Sequence, residues 1–393
     1  MIELILFVFF FTNTLYVFTL SAAGHFYHRI VPIRQNSYKR IAVFVPSYKE
    51  DNVIIHTAKE LLEVEYPESF FDVIIIADSL KEETLEQLRK TRAIVIPVQF
   101  EKSMKSRSLN FAFNSVNKEY DIAIIADADN ILEREFLSDI NNLFNQGHQI
   151  IQAQRVAKNL NTPMAVLDGL SEAINNHLFR QGANALGLSS ALIGSGMAFP
   201  FNLLKKELST IDSAVEDKAL QVALVEKGHK IVYQKGTLVF DEKVDSPDAY
   251  KNQRRRWIAG QYDMLRKNFI KGIRLLFRGN VNFFNIAVCQ NIFPSRINSI
   301  IALFFLSITF SLFYSEDKEV LIRWWGTTSL YFFALAIATP RHYYSLKLIK
   351  ALTLMPIVII KTIQAIFLSR NANKTFIHTE HKNSNIDHTY LPK

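Results

Sequence analysis

A single cysteine, Cys289, stands among 393 residues, so an intrachain disulfide and a multi-cysteine zinc site are both excluded. A lone cysteine of this kind reads as a small buried hydrophobe. The chain has no G-x-G-x-x-G run and no G-x-x-x-x-G-K-[ST] run, which leaves a Rossmann fingerprint and a P-loop without support. Nucleic-acid fold signatures are missing too. Many of the basic residues behind the formal charge of +8 flank apolar stretches. That charge points to anionic lipid or a phosphorylated substrate, and no nucleic acid is expected as a partner.

Apolar residues are plentiful, 49% of the chain with 31 Phe, and they cluster toward the ends. Ile2 to Ala23 is long enough to cross a hydrocarbon core of about 30 Å, with Glu3 as its one charge. Ser21-Ala22-Ala23 could serve as a signal cleavage site, but Met1 to Leu6 offers no basic n-region. Residues 1–24 are therefore read as a transmembrane anchor. Positive charges follow it at His28, Arg29, Arg34, Lys39 and Arg40, which puts the N-terminus outside and the next domain in the cytoplasm.

Two more spans are expected, Ile297 to Tyr314 and Trp324 to Thr339, with the basic loop Arg341 to Lys350 back inside. Leu346 to Ser369 is apolar, yet Lys350, Thr353, Lys361 and Gln364 form one stripe at about 100° per residue. This helix spans or lies in the interface. The parity of crossings favours the interface and leaves the polar tail 371–393 cytoplasmic. His378, His381 and His388 in that tail read as solvated.

Between Arg40 and Tyr233, buried-strand runs alternate with helical spacing, which implies an α/β fold with a mostly parallel sheet flanked by helices. Strands are expected at Ile41 to Val45, Asp72 to Ala77, Ala93 to Val98, Ile122 to Ala126 and Gln149 to Gln154. Helices are expected at Val53 to Leu62, Glu82 to Arg89, Ser108 to Val116, Glu133 to Phe144 and Lys218 to Val225. Ligands gather at the carboxyl ends of such strands. Pro46-Ser47-Tyr48-Lys49-Glu50, Asp78 and Asp127-Ala128-Asp129 stand at three of those ends, so one shared crevice is expected.

Asp127 and Asp129 suit a hard divalent cation that completes its shell with substrate phosphate oxygens; a solvated turn or helix cap is the plainer alternative. Glu216 and Asp217 open a helix, where they answer its dipole or supply a general base. In the run Gln253 to Trp257, three arginines suit a pyrophosphate or an anionic membrane surface. Trp257 suits a sugar face or an interfacial belt. Helical spacing groups Gln253, Arg256 and Trp257 on one face and turns Arg254 elsewhere. Gly194-Ser195-Gly196 permits close backbone approach to a ligand, or is an ordinary turn. Lys105, opening KSRSLN, meets a phosphate at the helix N-terminus or is a surface lysine.

In this order the motifs resemble those of the membrane-bound family 2 glycosyltransferases, the group of cellulose, chitin and hyaluronan synthases and bacterial polysaccharide transferases. The resemblance covers Arg40 to Trp257. It implies a GT-A fold over residues 40–270 and interfacial and transmembrane helices over 271–370. Tyr48 and Glu50 would contact uracil and ribose, Asp78 would hold the nucleoside, and Lys105 would lie near the diphosphate. Asp127 and Asp129 match the DxD pair, with Asp129 on Mg²⁺ or Mn²⁺. Gly194, Ser195 and Gly196 resemble the loop beneath the acceptor. Asp217, ending a VED triplet after Glu216, is implied as the base. Gln253, Arg256 and Trp257 match QxxRW, which holds the pyrophosphate and borders the acceptor.

Two departures stand out. VED replaces TED, losing a hydroxyl but keeping both acids, and Glu82 stands where the family usually has Asp. The tail FIHTEH loosely resembles a closing motif that some relatives fold over the active site. The implied activity is inverting hexosyl transfer (EC 2.4) from a nucleotide sugar, UDP-linked by expectation, to a glycan or lipid-linked acceptor. It would serve polysaccharide or glycolipid synthesis at a multi-pass site in the bacterial plasma membrane. Membrane lipids, a membrane partner or self-association would be the contacts there. A non-catalytic nucleotide-binding membrane protein is the rival reading, and both a processive synthase and a single-addition transferase fit the motifs.

Overall fold

The structure is a computed structural model that describes residues 1–213, 215–369, His381 and Ile386. Eight strands build its sheet: β1 (Ile41–Tyr48), β2 (Phe71–Asp78), β3 (Ile94–Val98), β4 (Ile122–Ile125), β5 (Ile131–Leu132), β6 (Ile151–Ala157), β7 (Met197–Pro200) and β8 (Val232–Asp241). Their order is β3-β2-β1-β4-β7-β6-β8-β5. The apolar run of β1 is explained by burial on two sides. Ala42 and Phe44 face a core with Ile74, Phe113 and Phe199, while Val43 and Val45 face another with Ile75, Ile124 and Leu137. Burying a side chain such as Phe44 contributes about 1.5–3 kcal/mol.

β3, β2, β1 and β4 are mutually parallel, and β7 runs antiparallel between β4 and β6. β8 is parallel to β6, with β5 antiparallel at the edge. The two reversals around β7 cancel, so the carboxyl ends of β1, β2, β4, β6 and β8 open on one side. That side carries the polar strand ends. β7 starts there, preceded by Gly196, whose φ is +62° and where a Cβ would meet Val239 Cγ2 at 2.6 Å.

Several boundaries differ from the sequence reading for physical reasons. The helix expected from Glu133 begins at Phe136, because Ile131 and Leu132 first pair with Phe240 and Val239. The helix expected from Ser108 begins at Lys105. β8 escaped notice because Gln234, Lys235 and Gly236 interrupt its apolar run, where its register with β6 also shifts. The Pro163–Asn175 and Pro247–Leu276 helices each start with a capping hydroxyl, Thr162 or Ser246, followed by proline at the first position.

Among the described residues three helices are long and apolar enough to cross a membrane: Ile2–Gly24, Arg296–Phe313 and Lys318–Ala338. The first packs on the third through Phe10, Val17 and Leu20 against Trp324, Tyr331 and Ala334. Glu3 accepts from Trp324 Nε1 at 2.9 Å, and Asn13 Nδ2 donates to Ser299 Oγ at 2.9 Å. The first helix also meets the π-helical turn Asn176–Gly182, where a Cβ on Gly182 would lie 2.1 Å from the Leu20 carbonyl oxygen. The stretch expected as one helix from Leu346 to Ser369 is two, Leu346–Leu352 and Met355–Leu368, bent by 51°. Pro356 falls in the first turn of the second, where its missing N–H is not needed. Lys361 reaches Asp248 at 2.8 Å and ties that helix to the start of Pro247–Leu276.

Candidate active site

The ends of β1 and β2 are turned outward by residues in the left-handed region, Lys49 at φ 56° and Ser79 at φ 57°. Non-glycine residues rarely adopt it. Asp78 is buried there; one carboxylate oxygen accepts from Ser79 Oγ at 3.0 Å and the other has no hydrogen-bond partner. An acceptor left open in a crevice suits a ligand hydroxyl or N–H. Glu50 contacts His381 Nδ1 at 2.9 Å. Burial works against the His381 charge, but Asp129 and Glu50 outweigh it and lift the imidazole to about 10. His381 therefore lines the crevice and is not the solvated residue that the polar tail suggested. His388 and the FIHTEH residues other than His381, His378 among them, lie outside the described residues.

After β4 the chain closes a tight turn, in which the Asp127 N–H donates to Asn130 Oδ1 and the Asn130 N–H to the Asp127 carbonyl, each at 3.0 Å. This turn aims both acids at the crevice. Asp127 pairs with Lys105 and lies 4.0 Å from Arg155. Asp129 is 1% exposed and accepts from the Glu242 N–H at 2.7 Å. Burial lifts its carboxyl above the usual range, His381 opposes the rise, and Asp241 adds to it. A desolvated carboxylate beside another acid is what a bound divalent cation relieves, so this pair fits a hard metal. Among the described residues no three His, Cys, Asp or Glu side chains gather to hold an ion. A cation here would share its shell with phosphate oxygens, as Mg²⁺ commonly does.

Beneath the acids lies a buried ionic cluster that no sequence motif marks. Arg155 meets Glu172 at 2.8 Å and Asp241 at 3.4 Å, and Lys243 meets Asp241 at 2.6 Å and Glu172 at 3.2 Å. Burial works against the Arg155 charge, yet Asp241 and Glu172 outweigh it and hold the guanidinium above its ordinary value. Burial likewise disfavours the Glu172 carboxylate, but Arg155 and Lys243 pull it well below the usual range. The findable signal was the acidic-basic run Asp241-Glu242-Lys243 closing an unrecognised strand.

The catalytic candidates meet around Lys105. Its ammonium bonds Asp127, donates to the Gly194 carbonyl at 2.7 Å and lies 3.7 Å from Glu216. A Cβ on Gly194 would sit 3.7 Å from Asp217 Oδ2 and 3.8 Å from Lys105 Nζ, so loop, base candidate and lysine are neighbours. Burial pushes the Glu216 carboxyl up to about 7, with Lys105 opposing and Asp217 reinforcing. Arg256 stands in the field of Glu216, Asp127 and Asp217, although burial leaves its pKa below the ordinary value.

Twelve of the fourteen residues singled out line one cavity of 1060 Å³, and Ser195 and Gly196 do not. Ser195 lies fully buried, its hydroxyl 3.4 Å from Arg155 Nη1. The arginines divide differently from the helical-face argument. Arg255 turns away to the Leu368 carbonyl at 2.7 Å. Arg254 lines the cavity, paired to Asp168 at 2.9 Å and stacked 4.3 Å over Trp257. From the strand ends the cavity continues between the apolar helices, past Tyr16, Tyr331, Leu335 and Val358.

A mixed α/β sheet with acids at its strand ends and an arginine-bearing helix across them has the form of a GT-A glycosyltransferase. Residues 39–260 match the model of the glycosyltransferase like family 2, more than half of the chain, and the protein belongs to that family. It is accordingly a glycosyl-transferring enzyme. A mannosyltransferase, PcManGT from Pyrobaculum calidifontis in complex with GDP-Man and Mn²⁺, has a similar structure: TM-score 0.55, 15% identity, 93% of this chain and 98% of that one covered. S. aureus TarS 1–349 in complex with UDP-GlcNAc aligns at TM-score 0.41 and 16% identity, over 84% of this chain and 91% of that one. Glucosyl-3-phosphoglycerate synthase from Mycobacterium tuberculosis, with Mn²⁺, UDP and phosphoglyceric acid, aligns at TM-score 0.37 and 16% identity, over 58% and 75%. Among curated proteins, none matches the sequence.

Proposed function

We propose that the protein is an inverting glycosyltransferase that moves a sugar from a nucleoside-diphosphate donor to a hydroxyl of a glycan or lipid-linked acceptor at a membrane. The observation that carries this reading is the meeting of Asp217, Lys105, Asp127 and Arg256 on the wall of one cavity that runs on between candidate spans. The donor complex of the mannosyltransferase supports a nucleotide sugar with a divalent cation. Tyr48, Glu50 and Asp78 would take the nucleoside, with the open Asp78 oxygen accepting from it. Lys105, Arg256 and Gln253 would attend the diphosphate, and Trp257 would border the acceptor. Asp127 and Asp129 would hold Mg²⁺ or Mn²⁺, which supplies charge neutralisation at the leaving phosphates.

Asp217 takes the proton from the acceptor hydroxyl as that oxygen forms its bond to the anomeric carbon and the bond to the diphosphate breaks. A positioned general base contributes about 10²–10⁴-fold. Lys105 and Arg256 stabilise the charge that gathers on the departing diphosphate. Glu216, whose carboxyl burial pushes up to about 7, tunes the field around that base. Residues 40–270 form the catalytic unit, on the cytoplasmic side of a bacterial plasma membrane, and residues 1–24 and 271–370 attach it there.

The test is a screen of UDP- and GDP-sugars in membranes containing the protein, with product mass spectrometry. Transfer of one sugar class, abolished by EDTA and restored by Mn²⁺, is the expected result. Nucleotide binding without any transfer would reduce the protein to a binding module.

A further inference from the structure

The cavity holds a second polar cluster to which the transfer chemistry assigns no task. Ser171 Oγ accepts from Arg296 Nη2 at 2.9 Å and from Arg254 Nη2 at 3.5 Å, so two guanidinium groups converge on one hydroxyl. Arg296 is otherwise held by neutral acceptors, Asn175 Oδ1 at 2.5 Å and the Ser171 carbonyl at 2.8 Å. Among the described residues, Asp168 is the one carboxylate within 4.0 Å of either cation. Two positive charges therefore share one negative charge.

A separate observation concerns Tyr250. Its side chain is 2% exposed and lines the same cavity, and its hydroxyl has no hydrogen-bond partner. The Arg254 guanidinium lies 4.6 Å over the Tyr250 ring, and Arg254 Nε is also buried without a partner. Buried donors without acceptors beside an unmatched cation carry a free-energy cost that an anionic, oxygen-rich ligand removes. Forked guanidinium donors suit phosphate in particular.

The surroundings identify what the phosphate is attached to. Arg296 is the first residue of a helix long and apolar enough to cross a membrane. The cavity wall beyond it is formed by Ile297, Ile300, Tyr331, Leu335, Met355 and Val358. A hydrocarbon chain fits this wall, whereas a free sugar phosphate would leave it wet.

We propose that Arg254, Arg296 and Tyr250 bind the phosphate of a lipid-linked acceptor, whose chain lies between the apolar helices and whose hydroxyl-bearing part reaches Asp217. The site is separate from the donor diphosphate, which Lys105 and Arg256 attend. The inference rests on the transfer reading above and narrows its acceptor to a phosphate-bearing lipid. The phosphate is an anchor and keeps all its bonds during transfer.

The full-length protein in a neutral detergent is titrated with dodecyl phosphate, dodecanol and inorganic phosphate, read by native mass spectrometry. UDP and GDP, each with Mn²⁺, are titrated onto the same preparation. Dodecyl phosphate is expected to bind at least about tenfold tighter than either control, and Arg296→Gln to erase that preference while UDP affinity stays within about twofold. Should that variant fold poorly, Tyr250→Phe is expected to weaken dodecyl phosphate alone. Equal binding of dodecyl phosphate and dodecanol overturns the proposal, as does an undiminished preference in folded Arg296→Gln. Inorganic phosphate binding as tightly as dodecyl phosphate marks a free-anion site and overturns the lipid assignment. Failure of wild-type protein to bind UDP or GDP strikes the transfer reading instead, since the lipid comparison is read without nucleotide.

Discussion

Lys105 is bonded to Asp127 across the crevice, and the same ammonium donates to the Gly194 carbonyl at 2.7 Å. One side chain thus joins the end of β4 to the loop that enters β7. Its position among Asp127, Glu216 and Asp217 suits it to meet charge that would develop on a leaving diphosphate. Lys105→Ala is expected to lower kcat/KM for the donor by about a hundredfold, measured from initial rates over donor concentration. A change of less than about twofold would remove Lys105 from that role.

Asp217→Asn keeps the shape of the site and removes the proton acceptor. Transfer should fall by about 10²–10⁴-fold, while nucleotide affinity measured by calorimetry stays close to that of the parent. Unchanged turnover would take the base role away from Asp217.

Arg155→Met leaves Asp241 and Glu172 buried with less positive charge around them. Breaking one partner out of such a cluster costs about 3–5 kcal/mol. A clear drop in Tm is expected, and Glu172→Gln added to Arg155→Met should recover part of it. Loss of activity with an unaltered Tm would show that Arg155 acts on the acids at the crevice rather than on the fold.

Glu216 gives a pH dependence with a definite sign. In the folded protein its carboxyl keeps a proton up to about 7, against 4.5 for the ordinary group. The native state therefore binds more protons than the unfolded chain between these values, and stability declines as pH rises through that window before levelling off. Tm scans of nucleotide-free protein should show this decline, and Glu216→Gln should flatten it. A slope identical in both proteins would assign it to another group.

The sequence made the chemistry-bearing strand ends legible because burial on two faces forces uninterrupted apolar runs, as in β1, β2 and β4. Tyr48, Asp78 and Asp127 could be placed at one edge for that reason alone. The second half of the sheet was hidden: β7 has four residues, and β8 breaks its pattern at Gln234 to Gly236 where it also shifts register. Arg155, Asp241 and Arg296 stayed invisible with it, since nothing local marks a charge that is balanced by a partner far along the chain. Gln253, Arg256 and Trp257, grouped by helical spacing, do line one cavity, but Arg254, which that spacing turned elsewhere, lines it with them. Spacing could not foresee that Asp168 and the Trp257 ring would draw that guanidinium inward.

The first helix is not an interchangeable tether. Asn13 bonds Ser299, the Gln181 side chain donates to the Gly24 carbonyl at 2.6 Å, and Gly182 lets the backbones nearly touch at Leu20. Tyr16 and Val17 are part of the cavity wall itself. Trimming this segment to obtain a water-soluble enzyme would open the chamber on one flank, and a generic anchor grafted in its place would hold the protein at the bilayer without sealing it.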